Sequence, residues 1–193
     1  EKDMERLFTT LEEWGIPGVK IDFMDRSDQW MVNYYERVTK CAADHHIFVD
    51  WHGSYTPKGL YRTYPNLLTY EGVLGMEQGA RCKPENSNWL PFIRNAVGSM
   101  EYGGTFMNKR MNRGNDGGNY RRTSDIFQLA LTILYQNSIQ NFALAPNNLA
   151  DAPALCIDYL KDVPTTWDET VFVDGYPGKY VVLARRRGMD WYV

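Results

Sequence analysis

The stretch GVKIDFMDRSDQ, residues 18–29, has a strand pattern that is interrupted by charge. Lys20 and Asp22 alternate with apolar residues, and Asp25 and Arg26 follow directly. Side chains two residues apart on a strand share a face, so Lys20 and Asp22 point the same way. A buried charge is costly unless it is paired or used. The stretch therefore predicts a buried strand whose charges neutralise each other or whose end contributes to a functional site.

The composition around this strand is that of a globular protein. The 193 residues are 44% hydrophobic and 14% aromatic, which is enough to form a core and argues against disorder. The net charge of −3 is small and no basic patch stands out, so we expect no nucleic-acid partner. No apolar run approaches the roughly 18 residues of a membrane span, so we expect no membrane partner. The cysteines are odd in number and far apart, which predicts buried free thiols rather than a disulfide framework or a metal cluster.

Helical and strand patterns alternate along the chain up to residue 163. Predicted helices cover 3–14, 28–44 with Ser27 as the N-cap, 89–98, 124–136 and 151–161. Predicted strands cover 18–24, 46–53, 67–71 and 139–146, and residues 99–104 are predicted as a strand end and loop. A closed eight-stranded α/β barrel needs about 250 residues. Residues 1–163 are therefore predicted to be the later, C-terminal half of a (β/α)8 TIM barrel.

The pattern changes after residue 163. Residues 171–173, 180–186 and 190–193 show three consecutive strand patterns, so strand–helix alternation gives way to a meander. We predict an α/β fold class with two parts, a partial barrel over residues 1–163 and the start of an all-β C-terminal domain over residues 164–193. Because the barrel is incomplete and the last residues resemble a strand inside a sheet, we expect the chain to be a piece of a longer protein.

Carboxylates fall at the ends of four successive predicted strands. The strand-end residues are Asp22, Asp25, Asp50, Trp51, His52, Glu71 and Glu101, with Glu77 in the loop beyond the third strand. In an α/β barrel the catalytic residues lie at the C-terminal ends of the strands. Two carboxylates that flank one bond are the usual equipment for glycoside hydrolysis, because one attacks or activates water and the other protonates the leaving oxygen. The pattern therefore favours a carbohydrate-cleaving cleft.

The pattern also leaves structural alternatives open. They are a strand-end salt bridge or helix cap for Asp25 and Arg26, a structural role for Asp50, a loop carboxylate for Glu101 and a core position for Trp51. The three histidines are His52 and an adjacent pair at a predicted helix end, which does not make a zinc site. From pattern alone, Asp22 remains open between a structural and a functional role.

Four blocks of the sequence resemble a known enzyme family. The blocks are GVKIDFMDRSDQ, DWHGSYTPKGLYRTYPNLLTYEGVLGMEQ, LPFIRNAVGSMEY and VPTTWDET. Together they resemble glycoside hydrolase family 97, which consists of bacterial exo-acting α-glycosidases, chiefly α-glucosidases and α-galactosidases. The resemblance implies an N-terminal β-sandwich, a (β/α)8 barrel and a C-terminal β domain, of which this chain holds the later barrel and the start of the last domain. Because family members are usually exported, it also implies a periplasmic or secreted location.

The resemblance implies roles for individual residues. Glu77, in GMEQ, matches the catalytic acid of the family, and Glu71, in TYEG, matches a ligand of an active-site calcium ion that Glu77 also contacts. Oxygen-only ligands suit calcium, which is a hard cation. His52 and Lys20 match residues that contact the sugar, and Trp51 is a substrate-binding candidate beside them. Calcium is therefore the expected cofactor, and an oligosaccharide or glycoside is the expected partner.

The resemblance also implies a choice between two mechanisms. Inverting members carry a Glu directly after the His of the second block, and here that position is Gly53. Retaining members carry an Asp at the end of the KxDF strand, and here that residue is Asp22. The resemblance therefore implies retaining double displacement, with Asp22 as nucleophile and Glu77 as acid. It favours terminal α-galactose as the released sugar over α-glucose.

Two other function classes compete with this hypothesis. A non-catalytic carbohydrate-binding module would keep Trp51 and His52 but has no need for both Asp22 and Glu77. A metal-dependent barrel hydrolase acting on amides or phosphates would want a His-x-His pair or a carboxylated lysine at strand ends, and the sequence has no such pattern. The oligomeric state and the roles of the 79–88 and 108–122 loops stay open.

Overall fold

The computed structural model describes residues 2–104, 107–110, 120–144 and 146–193. They form two compact units. The first unit comprises Glu1–Val73 and Val97–Glu101, and the second comprises Leu74–Ala96 and Tyr102–Val193. The predicted boundary at residues 163/164 is a division of sequence pattern and stays a prediction.

Helices and strands alternate through the first part of the chain, and strands dominate the last part. The α-helices are α1 (Lys2–Glu13), α2 (Gln29–Asp44), α3 (Leu60–Thr63), α4 (Pro84–Ser87), α5 (Leu90–Ile93), α6 (Asp125–Leu134) and α7 (Ala154–Asp162). The strands are β1 (Gly18–Ile21), β2 (Phe48–Trp51), β3 (Leu67–Tyr70), β4 (Glu169–Tyr176), β5 (Tyr180–Arg187) and β6 (Asp190–Tyr192). Short 3-10 helices span Met76–Arg81, Asn95–Val97 and Pro146–Asp151. No helix in the described ranges has the length and apolar character that a membrane crossing requires.

The first unit is built on a parallel sheet of order β1-β2-β3. In its register Lys20 lies beside Asp50 and Ile21 lies beside Trp51. A further parallel bridge joins Tyr70 to Met100, so the segment 99–101 continues the sheet. The carboxyl ends of parallel strands meet at one edge of a sheet. The predicted strands at 18–24, 46–53 and 67–71 are therefore confirmed, although each is shorter than its apolar pattern.

The first strand ends early because the backbone changes direction after Ile21. Phe23 and Asp25 adopt left-handed φ values of 62° and 47°, which no extended strand accommodates. The next helix, α2, begins after Asp28, whose side chain accepts the Met31 N–H at 3.1 Å. The predicted Ser27 cap is therefore wrong by one residue. Arg26 pairs with this Asp28 rather than with Asp25.

The core of the first unit lies between the sheet and helices α1 and α2. Trp51 is 0% exposed there, and its ring centroid lies 4.3 Å from that of Tyr35 on α2. Its Nε1–H donates to Thr39 Oγ1 at 3.3 Å. A fully buried ring packed against a helix offers no surface to a sugar. The prediction of Trp51 as a substrate contact is thus corrected to a core position, because its alternation along β2 points it towards α2.

The second unit contains an antiparallel sheet of order β4-β5-β6. The three predicted strands are confirmed, and the first is longer than its 171–173 pattern. Arg185 on β5 is buried, and it donates to Gln136 Oε1 at 2.9 Å and to the Leu134 carbonyl at 3.3 Å. This guanidinium joins β5 to the end of α6.

Two further predicted elements differ from the structure. The helix predicted over 89–98 is two short pieces, α5 and a 3-10 turn, because Pro91 suits only a first turn and Gly98 ends the segment at φ 147°. The strand predicted over 139–146 is absent from the described residues 139–144, where the Ala143 N–H donates to the Gly104 carbonyl at 3.1 Å. Most of the predicted 108–122 loop lies outside the described residues.

The three cysteines are buried free thiols, as predicted, at Cys41, Cys82 and Cys156. Cys156 lies in a small core of the second unit together with Leu160 and Met107.

Candidate active site

Five polar side chains converge at the carboxyl edge of the parallel sheet. We name them the strand-end cluster, and they are Asp22, Asp50, His52, Glu71 and Glu101. Asp22 directly follows β1, Asp50 belongs to β2 with His52 just after it, and Glu71 directly follows β3. Glu101 follows the bridge at Met100. The register of the sheet thus brings together residues that are far apart in the sequence.

His52 is the centre of the strand-end cluster. Its Nε2 lies 2.6 Å from Glu101 Oε2 and 3.7 Å from Asp50 Oδ2. Its Nδ1 faces the other way, 3.7 Å from Glu71 Oε2 and 4.0 Å from Asp22 Oδ2. One imidazole therefore connects four carboxylates, and its short bond to Glu101 fixes the orientation of the ring.

The charge state of His52 follows from these neighbours. Burial lowers the pKa of His52, but the Glu101 hydrogen bond and the charges of Asp50 and Glu101 outweigh it and raise that pKa above its usual value. A protonated imidazole offsets part of the negative charge that the carboxylates bring. Burial without such compensation would be costly for the carboxylates.

Asp22 is the most accessible carboxylate of the strand-end cluster. Its side chain is 33% exposed, whereas that of Glu71 is 13% exposed and that of Glu101 is 4% exposed. Its Oδ1 accepts the Phe23 N–H at 2.6 Å, and its Oδ2 lies 3.9 Å from Lys20 Nζ. The carboxylate is thus held by its own backbone and by a cation on the same strand face. This placement leaves the carboxylate accessible to a bound molecule.

Gly53 lies directly beside the carboxylate of Asp22, where the lack of a side chain avoids a steric conflict. Its φ is +54°, its N–H donates to Glu71 Oε2 at 2.8 Å, and its carbonyl accepts the Asp25 N–H at 3.0 Å. A Cβ at this position would lie 2.9 Å from Phe23 N and 3.1 Å from Asp22 Oδ1. A side chain at position 53 therefore competes for space with the carboxylate of Asp22 and with the turn that carries it.

Glu77 belongs to the second unit and lies on the 3-10 helix Met76–Arg81. It is exposed, and the Gln78 side-chain amide donates to its Oε1 at 3.4 Å. The turn before it is anchored, since the Met76 N–H donates to the Tyr102 carbonyl at 2.8 Å. The Cys82 thiol donates to the Gly75 carbonyl at 2.7 Å. An exposed carboxylate on an anchored turn is suitable for proton transfer.

Besides Asp22, two members of the strand-end cluster were given structural alternatives by the sequence. Asp50 was favoured as structural because it alternates away from Trp51, yet that alternation places it with His52 on the cluster side. Glu101 was open as a loop carboxylate, and the structure brings it to His52 across 49 residues of sequence. The two-residue spacing of Asp50 and His52 was the feature of the sequence that could have placed Asp50 in the cluster. The position of Glu101 at a fourth strand end was the feature that could have placed Glu101 there.

Two family models match this chain. The model described as "Glycoside hydrolase 97" matches residues 1–73, and "Glycosyl-hydrolase 97 C-terminal, oligomerisation" matches residues 166–193. A "Probable retaining alpha-galactosidase" from Streptomyces bingchenggensis is 38% identical over 194 residues. A "Retaining alpha-galactosidase" from Bacteroides thetaiotaomicron is 35% identical over 205 residues. The chain belongs to glycoside hydrolase family 97.

The family 97 chain spans less than a third of the relatives that it matches. Both alignments cover 100% of this chain, but only 29% of the Streptomyces protein and 30% of the Bacteroides protein. The region shared with these relatives thus includes the strand-end cluster, Glu77 and the antiparallel sheet.

Two solved structures share the fold of this family 97 chain. A structure described as "Crystal structure of beta-arabinopyranosidase" has a TM-score of 0.91 and 52% identity, and the match covers 97% of this chain and 31% of that one. A family 97 enzyme from Pseudoalteromonas sp. strain K8, in complex with panose, has a TM-score of 0.84 and 27% identity, with 97% and 31% covered. These likenesses, with a parallel sheet followed by an antiparallel one, confirm the predicted fold class.

Proposed function

We propose that the protein is a retaining glycosidase that releases a terminal sugar from an oligosaccharide or glycoside. The observation that carries this proposal is the placement of Asp22, which is accessible, held by the Phe23 N–H and beside Lys20. Gly53 adds support, because the position of an inverting base has no room for a side chain next to this carboxylate. The names of both curated relatives include the word retaining.

The proposed reaction has two steps. In the first, the Asp22 carboxylate attacks the anomeric carbon and Glu77 gives its proton to the leaving oxygen. In the second, the Glu77 carboxylate takes a proton from water, which attacks the same carbon and releases Asp22. Retaining enzymes hold the two carboxyl groups about 5–5.5 Å apart, whereas inverting enzymes leave about 6.5–9.5 Å for a water molecule. Lys20 and His52 are proposed to bind the sugar from the nucleophile side.

We propose a galacto-configured sugar as the substrate, with terminal α-galactose as the first candidate. The names of the two curated relatives support α-galactose. The 52% identity to a structure described as a beta-arabinopyranosidase supports a second candidate, a β-L-arabinopyranoside. The two sugars share the arrangement of ring hydroxyls, and the arabinose ring lacks the hydroxymethyl group. A cluster that binds ring hydroxyls therefore accepts both sugars. Contacts to the hydroxymethyl group decide which of the two sugars is preferred.

The substrate proposal is tested on the full-length protein with three nitrophenyl glycosides: α-galactoside, β-L-arabinopyranoside and α-glucoside. We expect kcat/KM for the better of the first two to exceed that for the α-glucoside by about 100-fold, because a site that binds one hydroxyl arrangement leaves polar groups unpaired with another. A preference for the α-glucoside contradicts the galacto assignment. Absence of turnover on all three contradicts the glycosidase proposal.

We propose calcium as the cofactor, with Glu71 and Glu77 among its ligands. The Glu71 carboxylate fits such an ion in type, since it offers oxygen at the edge of the strand-end cluster and is only 13% exposed. The three-ligand group Asp50, His52 and Glu101 in the described part of the chain fits calcium less well, because it includes an imidazole nitrogen. When bound, calcium supplies a fixed positive charge that orients carboxylates and sugar hydroxyls. The residues of this chain would still carry out every proton transfer.

Calcium removal is expected to lower activity of the full-length protein at least about tenfold, with restoration by calcium but not by magnesium. Activity is measured after dialysis against a calcium chelator and again after each ion is returned. The Glu71→Gln variant keeps the shape of the side chain and is expected to need more calcium for half-maximal activity. Activity that is indifferent to the chelator removes Glu71 from a metal site.

A further inference from the structure

A second cluster of ligand-type side chains lies away from the strand-end cluster, where α1 packs on α2. Glu5 and Glu12 are seven residues apart on α1, and Cys41 and His45 are four residues apart at the end of α2. Both spacings place the paired residues on one face of their helix. The sequence predicted no metal cluster because the cysteines are odd in number and far apart, whereas the structure adds carboxylates from a second helix.

Three different ligand atoms meet in this cluster. Glu5 Oε1 lies 3.0 Å from His45 Nε2, and Glu5 Oε2 lies 3.3 Å from Cys41 Sγ. All three ligand atoms lie within 4.8 Å of one another. Zinc bonds of about 2.0–2.3 Å in a tetrahedron place neighbouring ligand atoms about 3.3–3.8 Å apart. The spacing of the cluster therefore needs little adjustment to surround one ion.

The second ring nitrogen of His45 has a carboxylate partner, as is usual for histidines that bind a metal. Its Nδ1 lies 2.7 Å from Glu12 Oε2. A carboxylate in this position accepts the Nδ1 proton, so that Nε2 directs its lone pair at the ligand position. Phe8 stacks beside the imidazole with ring centroids 6.3 Å apart and limits rotation of the ring.

Burial and charge also suit a cation. Cys41 is 6% exposed and the His45 side chain is 11% exposed, so protein encloses these two ligands. The Glu5 side chain is 66% exposed and leaves a path for an ion from solvent. Two carboxylates face a single imidazole, which gives the cluster a negative charge to be compensated. Thiolate, imidazole and carboxylate are each ligand types that zinc accepts, and this cluster offers one of each.

We propose that Glu5, Cys41 and His45 bind a zinc ion between α1 and α2, with Glu12 supporting His45 and water as a fourth ligand. The site fastens the two helices that cover the core of the first unit. Binding replaces two protons by the metal, the Cys41 thiol proton and the His45 Nε2 proton that the Glu5 carboxylate accepts in the metal-free arrangement, and both are released to solvent. The proposal is independent of the glycosidase proposal, because no residue of the strand-end cluster takes part.

Metal-depleted full-length protein is titrated with zinc, and cobalt is used as a spectroscopic probe. We expect one zinc per chain with a Kd of about 1 μM or tighter. The binding enthalpy measured by calorimetry is expected to change with the ionisation enthalpy of the buffer, which reports proton release. The cobalt-loaded protein is expected to show a thiolate-to-cobalt charge-transfer absorption band. Cys41→Ser is expected to weaken zinc binding about 100-fold or more and to abolish the band. Cys156→Ser removes another buried thiol of the chain and serves as the matched control, with binding and band unchanged.

Glu12→Gln provides a second variant that leaves all three zinc ligands in place. It is expected to weaken zinc binding about 10- to 100-fold, and circular dichroism reports whether each variant is folded. Absence of zinc uptake by the folded wild-type protein overturns the proposal. Equal zinc binding by wild type and folded Cys41→Ser also overturns it, because the ion then binds elsewhere. If Cys41→Ser does not fold, unchanged zinc binding by Glu12→Gln overturns the proposed arrangement.

Discussion

Replacing Asp22 with glycine is expected to lower kcat of the full-length protein by about 10⁴-fold or more, because the covalent step loses its nucleophile. The glycine leaves a small space in front of the anomeric carbon, where the carboxylate of Asp22 stood beside Lys20. Azide fits that space and is expected to restore turnover. The product is then a glycosyl azide with inverted anomeric configuration, since azide attacks from the side of the missing carboxylate.

Two measurements decide the outcome of this experiment. Proton NMR of the wild-type reaction is expected to show a first-formed sugar with the anomeric configuration of the substrate, and the opposite anomer overturns the role of Asp22. Asp25→Gly is the matched control, because Asp25 is an exposed carboxylate at φ 47° that glycine adopts without strain. This control is expected to keep most of the activity and to show no response to azide.

Replacing Glu77 with glutamine is expected to lower kcat/KM by about 10²- to 10⁴-fold on oligosaccharides, whose leaving oxygen needs a proton. The dinitrophenolate group of a dinitrophenyl glycoside leaves without protonation, so the rate of the first step on this substrate is expected to fall far less. The shape of the side chain is conserved, and the anchoring of the turn through Met76 and Cys82 does not involve the carboxyl group. Kinetics on a series of leaving groups of rising basicity measure the difference.

The slope of this series distinguishes an acid from a structural residue. A general acid gives a steeper dependence of rate on leaving-group basicity after substitution, whereas a structural defect lowers all rates alike. Glu85→Gln alters a carboxylate on α4 of the same unit and is the matched control, with an unchanged slope expected. An equal loss across all leaving groups for Glu77→Gln contradicts the assignment of Glu77 as acid.

Much of the strand-end cluster could be predicted because it depends on short-range geometry. Lys20 and Asp22 share a face by alternation, and the structure places their charged atoms 3.9 Å apart. The same alternation governs Asp50 and His52. What alternation does not indicate is which face meets the helices, since both faces of a parallel strand are covered. Trp51 was a substrate-binding candidate with a core position as the alternative, and the structure packs it on α2.

Longer-range features could not be predicted from one sequence. The bond between His52 and Glu101 joins residues 49 positions apart and depends on the continuation of the sheet at Met100. The cap of α2 was assigned to Ser27, although the adjacent Asp28 is an equally good capping residue and performs the role. Local propensity does not decide between two neighbouring capping residues. The direction of the chain after β1 decides which of them caps α2.

In the proposed mechanism, the crowding around Gly53 bears on how this protein could exchange a retaining for an inverting course. Adding a glutamate at position 53 while Asp22 remains brings two side chains into one volume, since a Cβ there already lies 3.1 Å from Asp22 Oδ1. Removing Asp22 first leaves a protein without either group. Under the proposed mechanism, one order of substitution therefore passes through a crowded intermediate and the other through an inactive one, so redesign towards inversion is expected to need both positions changed together.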